Sequence, residues 1–266
     1  MPEAHPDRRK AGQFVDLGPE LRRPIVIFGG LFTFTMFYRG MRAALGRVTG
    51  QPVWIVDTWG PDWLTGVNRL GWSHLLGKLD RTVRSAADSS ATGKVTLVGH
   101  SAGGVLARLY LSPDPFMGRT CRGLDFVGTL ITLGSPHRNQ GGTTLGGTMA
   151  RWIEQRYPGA AFAPAVNYVS VAGRVSRGNP SGSLRERWLS NTYREIGGDG
   201  RAWGDGLIPT RSALLDGAYQ IILDGVSHFR GFGGPWYGDE AVIPGWWNTW
   251  VDRSQAAAPA GRGERH

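Results

Sequence analysis

Ser101 lies in "TLVGHSAGGVLARLY" (residues 96–110), where a β-branched apolar run gives way to a helical pattern and glycine occupies positions 99, 103 and 104. The pentapeptide Gly99-His100-Ser101-Ala102-Gly103 has the G-x-S-x-G form of a nucleophile elbow. A serine held at a strand-to-helix turn needs strained backbone angles, and side chains two positions either side would collide, so glycine flanks it. Gly104 lets the following helix pack close to the sheet. That helix directs its N-terminus, with its partial positive charge, at a negative oxygen formed beside the serine. The pentapeptide carries weight because "KVTLV" precedes it and an amphipathic segment follows. In other surroundings the same serine reads as a helix N-cap.

A neutral serine hydroxyl is a weak nucleophile and needs a histidine base oriented by a carboxylate. Of six histidines, His5 and His266 fall in the polar ends, His74 sits in a helical pattern, and His100 precedes the serine with its ring expected to point away. His228, in "LDGVSHFRG", follows the last expected strand and is the expected base. His137, in "LGSPHRN", follows an earlier strand and is expected beside the pocket. The order Ser, then acid, then His admits Asp199, Asp205, Asp216 and Asp224. Asp205, in the Gly-flanked loop "WGDGLIPTRSA", is the expected acid and Asp199 its rival. An acyl-transfer site also needs two backbone donors for the oxyanion. Ala102 is expected to supply one and Leu31, in "VIFGGLFTF", the other, with Phe32 next in line.

These residues need a scaffold that brings strand ends together. The runs at 24–29, 52–57, 94–99, 126–134, 167–173 and 219–225 read as buried strands, being short, β-branched and bounded by Gly, Pro or Asp. Helical patterns lie between them at about 34–47, 66–89, 102–112 and 145–156, with another near 239–251. Such alternation predicts a parallel sheet with helices on both faces, whose ligands bind at the carboxyl ends of the strands. A single domain is expected over 23–252, between a flexible arm (1–22) and a flexible tail (253–266). Two long connections, 135–166 and 174–204, open at the chemical edge and read as lid-like inserts.

Composition removes several classes. With one cysteine among 266 residues, neither an internal disulfide nor a cysteine zinc site is possible. The N-terminus has charges but no apolar core of a secretory signal, and no apolar run is long enough to span a bilayer, so a cytoplasmic location is expected. The net charge of +9 is spread along the body rather than gathered in the ends. No nucleic-acid motif is visible, so nucleic acid is not an expected partner. The charge suits a solvated basic surface, with peripheral contact to an anionic lipid surface as the other use. Serine hydrolysis requires no metal or redox cofactor, and the "GHSAGG" glycines lack dinucleotide-loop spacing.

The succession FGG, GHSAGG, GSPH, GDGLIP and GVSH resembles lipases and esterases of the α/β-hydrolase fold, in particular small bacterial lipases and the PGAP1-like branch. It is similar as well to lipase-like proteins of cyanobacteria and plant plastids. The likeness spans about residues 24 to 250 and implies Ser101 as nucleophile, Asp205 as acid, His228 as base, and Leu31 and Ala102 as oxyanion donors. Relatives of this kind usually carry His-Gly before the first donor, where this chain has Gly29-Gly30. The expected activity is hydrolysis of a small-molecule or lipid ester through an acyl-enzyme. Acyl transfer, thioester hydrolysis and a non-catalytic binding role are the alternatives. Phe32, His137 and Trp236 are the expected substrate contacts, within a wider aromatic set of Phe34, Phe37, Trp59, Trp63 and Phe229.

Overall fold

A computed structural model describes residues 22–31, 33–65, 69–139 and 145–257. The strands are β1 (Ile25–Phe28), β2 (Val53–Ile55), β3 (Val95–His100), β4 (Val127–Leu133), β5 (Asn167–Arg174), β6 (Ser176–Arg177), β7 (Trp203–Gly204) and β8 (Tyr219–Asp224). Six of them form one sheet in the order β2-β1-β3-β4-β5-β8, every pair parallel, while β6 and β7 make a small antiparallel ribbon. All residues of β1, β3 and β4 are buried, as strands covered on both faces require. The edge strands β2 and β8 alternate between buried and exposed.

The helices are α1 (Arg39–Thr49), α2 (Gly60–Thr65), α3 (Arg69–Ala87), α4 (Ala102–Tyr110), α5 (Gly123–Phe126), α6 (Leu145–Arg156), α7 (Leu184–Gly197), α8 (Thr210–Ala213) and α9 (Ile243–Ala257), with a 3-10 turn at Thr35–Tyr38. Because side chains alternate along a strand, each strand feeds two cores. Val26, Phe28, Leu97 and Leu130 pack with α3, α4 and α6 on one face. Ile25, Ile27, Val98, Ile131 and Val171 pack with α1 and α9 on the other.

The expected strands and four of the expected helices are present, with shifted ends. The segment read as one helix from about 34 splits into the 3-10 turn and α1, which stops at Gly50 in the left-handed conformation. The last helix starts at Ile243 rather than near 239, because the Asp239 carbonyl and carboxylate first organise turns over 236–243. It then runs to Ala257, so a tail boundary at 252 falls inside α9. Of the arm expected at 1–22 only Arg22 is described, and the tail beyond 257 and Phe32 lie outside the described residues. The insert at 174–204 is structured: it holds β6, β7 and α7, whose start carries a reciprocal capping box between Ser183 and Glu186.

Candidate active site

Strand register builds the site. Phe28 of β1 pairs with Gly99 of β3, and His100 pairs with Leu133 of β4, so the loops after three adjacent strands emerge side by side. Ser101 stands at the end of the central β3 with φ 54° and ψ −130°, a strained elbow that places its hydroxyl above the sheet. The flanking glycines leave no room for side chains. A Cβ at Gly99 would lie 2.4 Å from the Gly104 Cα, and one at Gly103 would lie 2.2 Å from the Gly29 carbonyl oxygen. A Cβ at Gly30, in the loop after β1, would stand 2.7 Å from the Ser101 Cβ. The β1 loop therefore lies directly against the serine.

The three expected residues meet here. His228 Nε2 is 3.0 Å from Ser101 Oγ, and His228 Nδ1 is 2.8 Å from Asp205 Oδ2. The imidazole and carboxylate are fully buried, whereas Ser101 is half-exposed. Main-chain pairing fixes their approach, since the His228 N–H donates to the Asp205 carbonyl at 2.8 Å. Asp205 Oδ1 accepts the N–H groups of Leu207 (3.0 Å) and Ile208 (2.7 Å). Its Oδ2 accepts the Tyr237 hydroxyl at 2.9 Å, and that hydroxyl accepts the Gly173 N–H at 2.7 Å. With those donors committed, Oδ2 presents its remaining lone pair to His228 Nδ1–H, which leaves Nε2 as the ring's acceptor toward Ser101. Burial first, and then the Asp205 charge, holds the Tyr237 phenol well above the usual range, so it remains a donor.

A second buried layer backs the elbow. Tyr38, in the 3-10 turn, accepts the Gly30 N–H at 3.0 Å and lies 2.8 Å from His100 Nδ1. The His100 ring sits 4.7 Å from the His228 ring and packs edge-on against Phe229 and Trp236. Burial, then the neighbouring His228, lowers the His100 pKa well below its ordinary 6.5. Ala102 opens α4, so its N–H has no partner within the helix, and neither it nor the Leu31 N–H is hydrogen-bonded among the described residues.

The other sequence expectations divide. Phe37 and Phe229 meet edge to face at 5.2 Å beside His228, with Phe37 partly exposed and Phe34 and Trp59 more so. Trp236 is buried and packs against Phe37, Tyr38 and His100, forming a wall behind the elbow. Trp63 stacks on Phe28 in the core. His137 is fully buried and bonds Thr132 at 3.0 Å; among the described residues it makes no hydrogen bond or ring contact with Ser101, His228 or Asp205. Burial, and then Arg108, lowers its pKa well below 6.5. Asp199 accepts the Arg201 N–H at 2.8 Å as a turn residue, and Asp216 and Asp224 pair with Arg138 and Arg174 at the surface.

Sequence reasoning gave no role at the site to Gly134, Tyr193, Tyr237 or Tyr38. Gly134 has φ 54°, and a Cβ there would lie 2.6 Å from Asp205 Oδ2 and 3.0 Å from His228 Nδ1. Its signal was the glycine of "LGSPH" at a strand end. Tyr193 of α7 accepts the Gly206 N–H at 3.1 Å, tying the 174–204 insert to the loop that carries Asp205. The tyrosines had no local signal. A separate depression of about 510 Å³ between α1 and β2, lined by Arg39, Arg42, Ala43, Gly46, Gln51 and Val53, shares no residue with the site. Among the described residues no cluster of metal-ligating side chains occurs and no helix is long and apolar enough to cross a membrane.

A model of the PGAP1-like alpha/beta domain matches residues 77–150, the span holding β3, the elbow and β4. No curated protein matches the chain. Phospholipase PlaB from Legionella pneumophila superposes with a TM-score of 0.56 at 13% identity, over 86% of this chain and 59% of that one. The product of gene lin2722 from Listeria innocua has a TM-score of 0.47 at 16% identity, over 77% of this chain and 85% of that one. Lipase B from Aspergillus fumigatus has a TM-score of 0.45 at 13% identity, covering 78% and 46% respectively. Together with the parallel sheet, the PGAP1-like match and the PlaB superposition give the chain the α/β-hydrolase fold.

Proposed function

We propose that this α/β-hydrolase-fold protein hydrolyses carboxylic esters with an apolar acyl group through a Ser101 acyl-enzyme. The observation that carries the reading is the continuous relay from Ser101 Oγ through His228 to Asp205, at 3.0 and 2.8 Å. Ser101 Oγ attacks the ester carbonyl carbon while its proton passes to His228 Nε2. The carbonyl oxygen becomes an oxyanion held by the N–H groups of Leu31 and Ala102. Asp205 stabilises the imidazolium without taking its proton. Collapse of the tetrahedral species breaks the bond to the alkoxy oxygen, which leaves as an alcohol with the proton from His228. Water, deprotonated by the same imidazole, then cleaves the acyl-serine to release the acid and restore the hydroxyl.

Apolar acyl groups are favoured by the rim of Phe37 and Phe229 beside His228, where part of the aromatic surface remains in water. That rim and the net charge of +9 support a lipid ester presented at an anionic surface as the natural form of substrate. The test is turnover of p-nitrophenyl esters of graded chain length by the wild type, Ser101→Ala and His228→Ala. Both variants should lose at least about 10⁴-fold in kcat. Turnover unchanged in Ser101→Ala rules the mechanism out. Release of products only when an alcohol acceptor is added identifies acyl transfer instead.

A further inference from the structure

We infer that Thr33 and Tyr38 are positioning residues that clamp the Gly30–Leu31 peptide so that the Leu31 N–H faces the oxyanion; this rests on the esterase reading above. The Gly30 carbonyl accepts the Thr33 hydroxyl at 2.6 Å and the Thr33 N–H at 3.2 Å. In a planar trans peptide the N–H points opposite to the carbonyl. Holding the Gly30 oxygen toward Thr33 therefore turns the Leu31 N–H away from Thr33. It has no partner there among the described residues, while the adjoining Gly30 Cα lies against Ser101.

The other side of Gly30 is fixed as well. Its N–H donates to the Tyr38 hydroxyl at 3.0 Å. A phenol that accepts this bond sends its own proton elsewhere, and His100 Nδ1 lies 2.8 Å away. His100 is buried and directly precedes the nucleophile. The chain of bonds from Gly30 through Tyr38 to His100 ties the loop after β1 to the elbow after β3, so the two donors of the oxyanion site move as one unit. A clamp is needed because Gly29 and Gly30 have no side chains to lock their backbone, and glycine permits the peptide to rotate. A rotated peptide would present a carbonyl oxygen to the developing negative charge. Burial pushes the Tyr38 phenol up to about 12, which keeps its proton available to His100.

The experiment uses the full chain with Tyr38→Phe, Thr33→Val and Thr33→Ser. It measures kcat and KM on a short-chain p-nitrophenyl ester, inhibition by an alkyl trifluoromethyl ketone, and thermal stability. The ketone forms a hemiketal oxyanion on serine and so reads the donor site directly. Tyr38→Phe and Thr33→Val should each lower kcat about tenfold or more with KM within about twofold, and weaken the ketone by a matching factor. Thr33→Ser, which keeps the hydroxyl, should recover most of the rate. Thr33→Val, nearly isosteric, decides the matter if Tyr38→Phe does not fold. Folded variants with wild-type kcat and ketone affinity overturn the inference, as does a fall in kcat with ketone affinity retained. A wild type without Ser101-dependent turnover instead overturns the esterase reading itself.

Discussion

At the scale of single residues, the site is defined by how completely its polar atoms are committed. Asp205 receives donors on both oxygens: two backbone N–H groups on Oδ1, and His228 with Tyr237 on Oδ2. An amide has one acceptor and one donor end, so Asp205→Asn must turn its NH₂ against donors in either orientation. Such a change should cut kcat by about 10³–10⁴-fold while the protein remains folded, as measured by steady-state kinetics and near-ultraviolet circular dichroism. Gly134 poses the opposite problem, of space rather than charge. Gly134→Ala would place a methyl 2.6 Å from Asp205 Oδ2 at a left-handed φ of 54°, prising the acid from the base. It should lower kcat at least about tenfold, with the loss traced by weaker phosphonate labelling of Ser101. Labelling at the wild-type rate would show that the pair tolerates the methyl. Asp205 was legible in the sequence because glycines flank it and it lies in the required order. Tyr237 was not, since its role depends on a chain returning from 32 residues away to meet the same oxygen.

At the scale of elements, the insert between β5 and α8 is the part most at variance with a loop. Its α7 begins with Ser183 accepting the Glu186 N–H while Glu186 accepts the Ser183 N–H, and it ends at Gly198 with φ 79°. Ser183→Ala should cost about 1 kcal/mol in urea unfolding, the usual worth of an N-cap. Tyr193 is buried, and its hydroxyl accepts the Gly206 N–H next to Asp205. Tyr193→Phe leaves that N–H unpaired, which should destabilise the protein by about 1–3 kcal/mol and hasten proteolytic cleavage within 174–204. Cleavage at an unchanged rate would mean that β6 and β7 alone hold the insert. The capping signal Ser183-x-x-Glu186 was readable in one dimension. The ribbon of β6 and β7 was not readable, because two residues per strand leave no periodicity.

At the scale of the whole molecule, two buried neutral histidines link stability to pH. His100 and His137 both have pKa values held well below 6.5, chiefly by burial. In the unfolded chain each takes up a proton near its ordinary value, so the unfolded state binds more protons as pH falls. Stability is therefore fully present above about pH 6.5 and declines below it as the unfolded histidines take up protons. Thermal melts from pH 7.5 to 5 should show this decline, and His137→Gln should make it shallower. A melting temperature flat down to pH 5 would exclude both histidines as its source. The basic excess of the chain adds self-repulsion of the same sign as acidic groups are neutralised.

The alternation of buried strands and helices, the elbow at Ser101, and the order in which Asp205 and His228 follow it are all written along the chain. Those features are local: periodicity, turn glycines and residue order all survive in one dimension. Which side chains close on Ser101, His228 and Asp205 depends on the folded chain, because strand order β2-β1-β3-β4-β5-β8 sets loops from distant parts of the chain side by side. That order put Gly30 against Ser101, Gly134 against Asp205 and His228, and Tyr38 on His100. It also put His137 on Thr132 and Trp236 behind the elbow, packing partners that no spacing along the chain specifies.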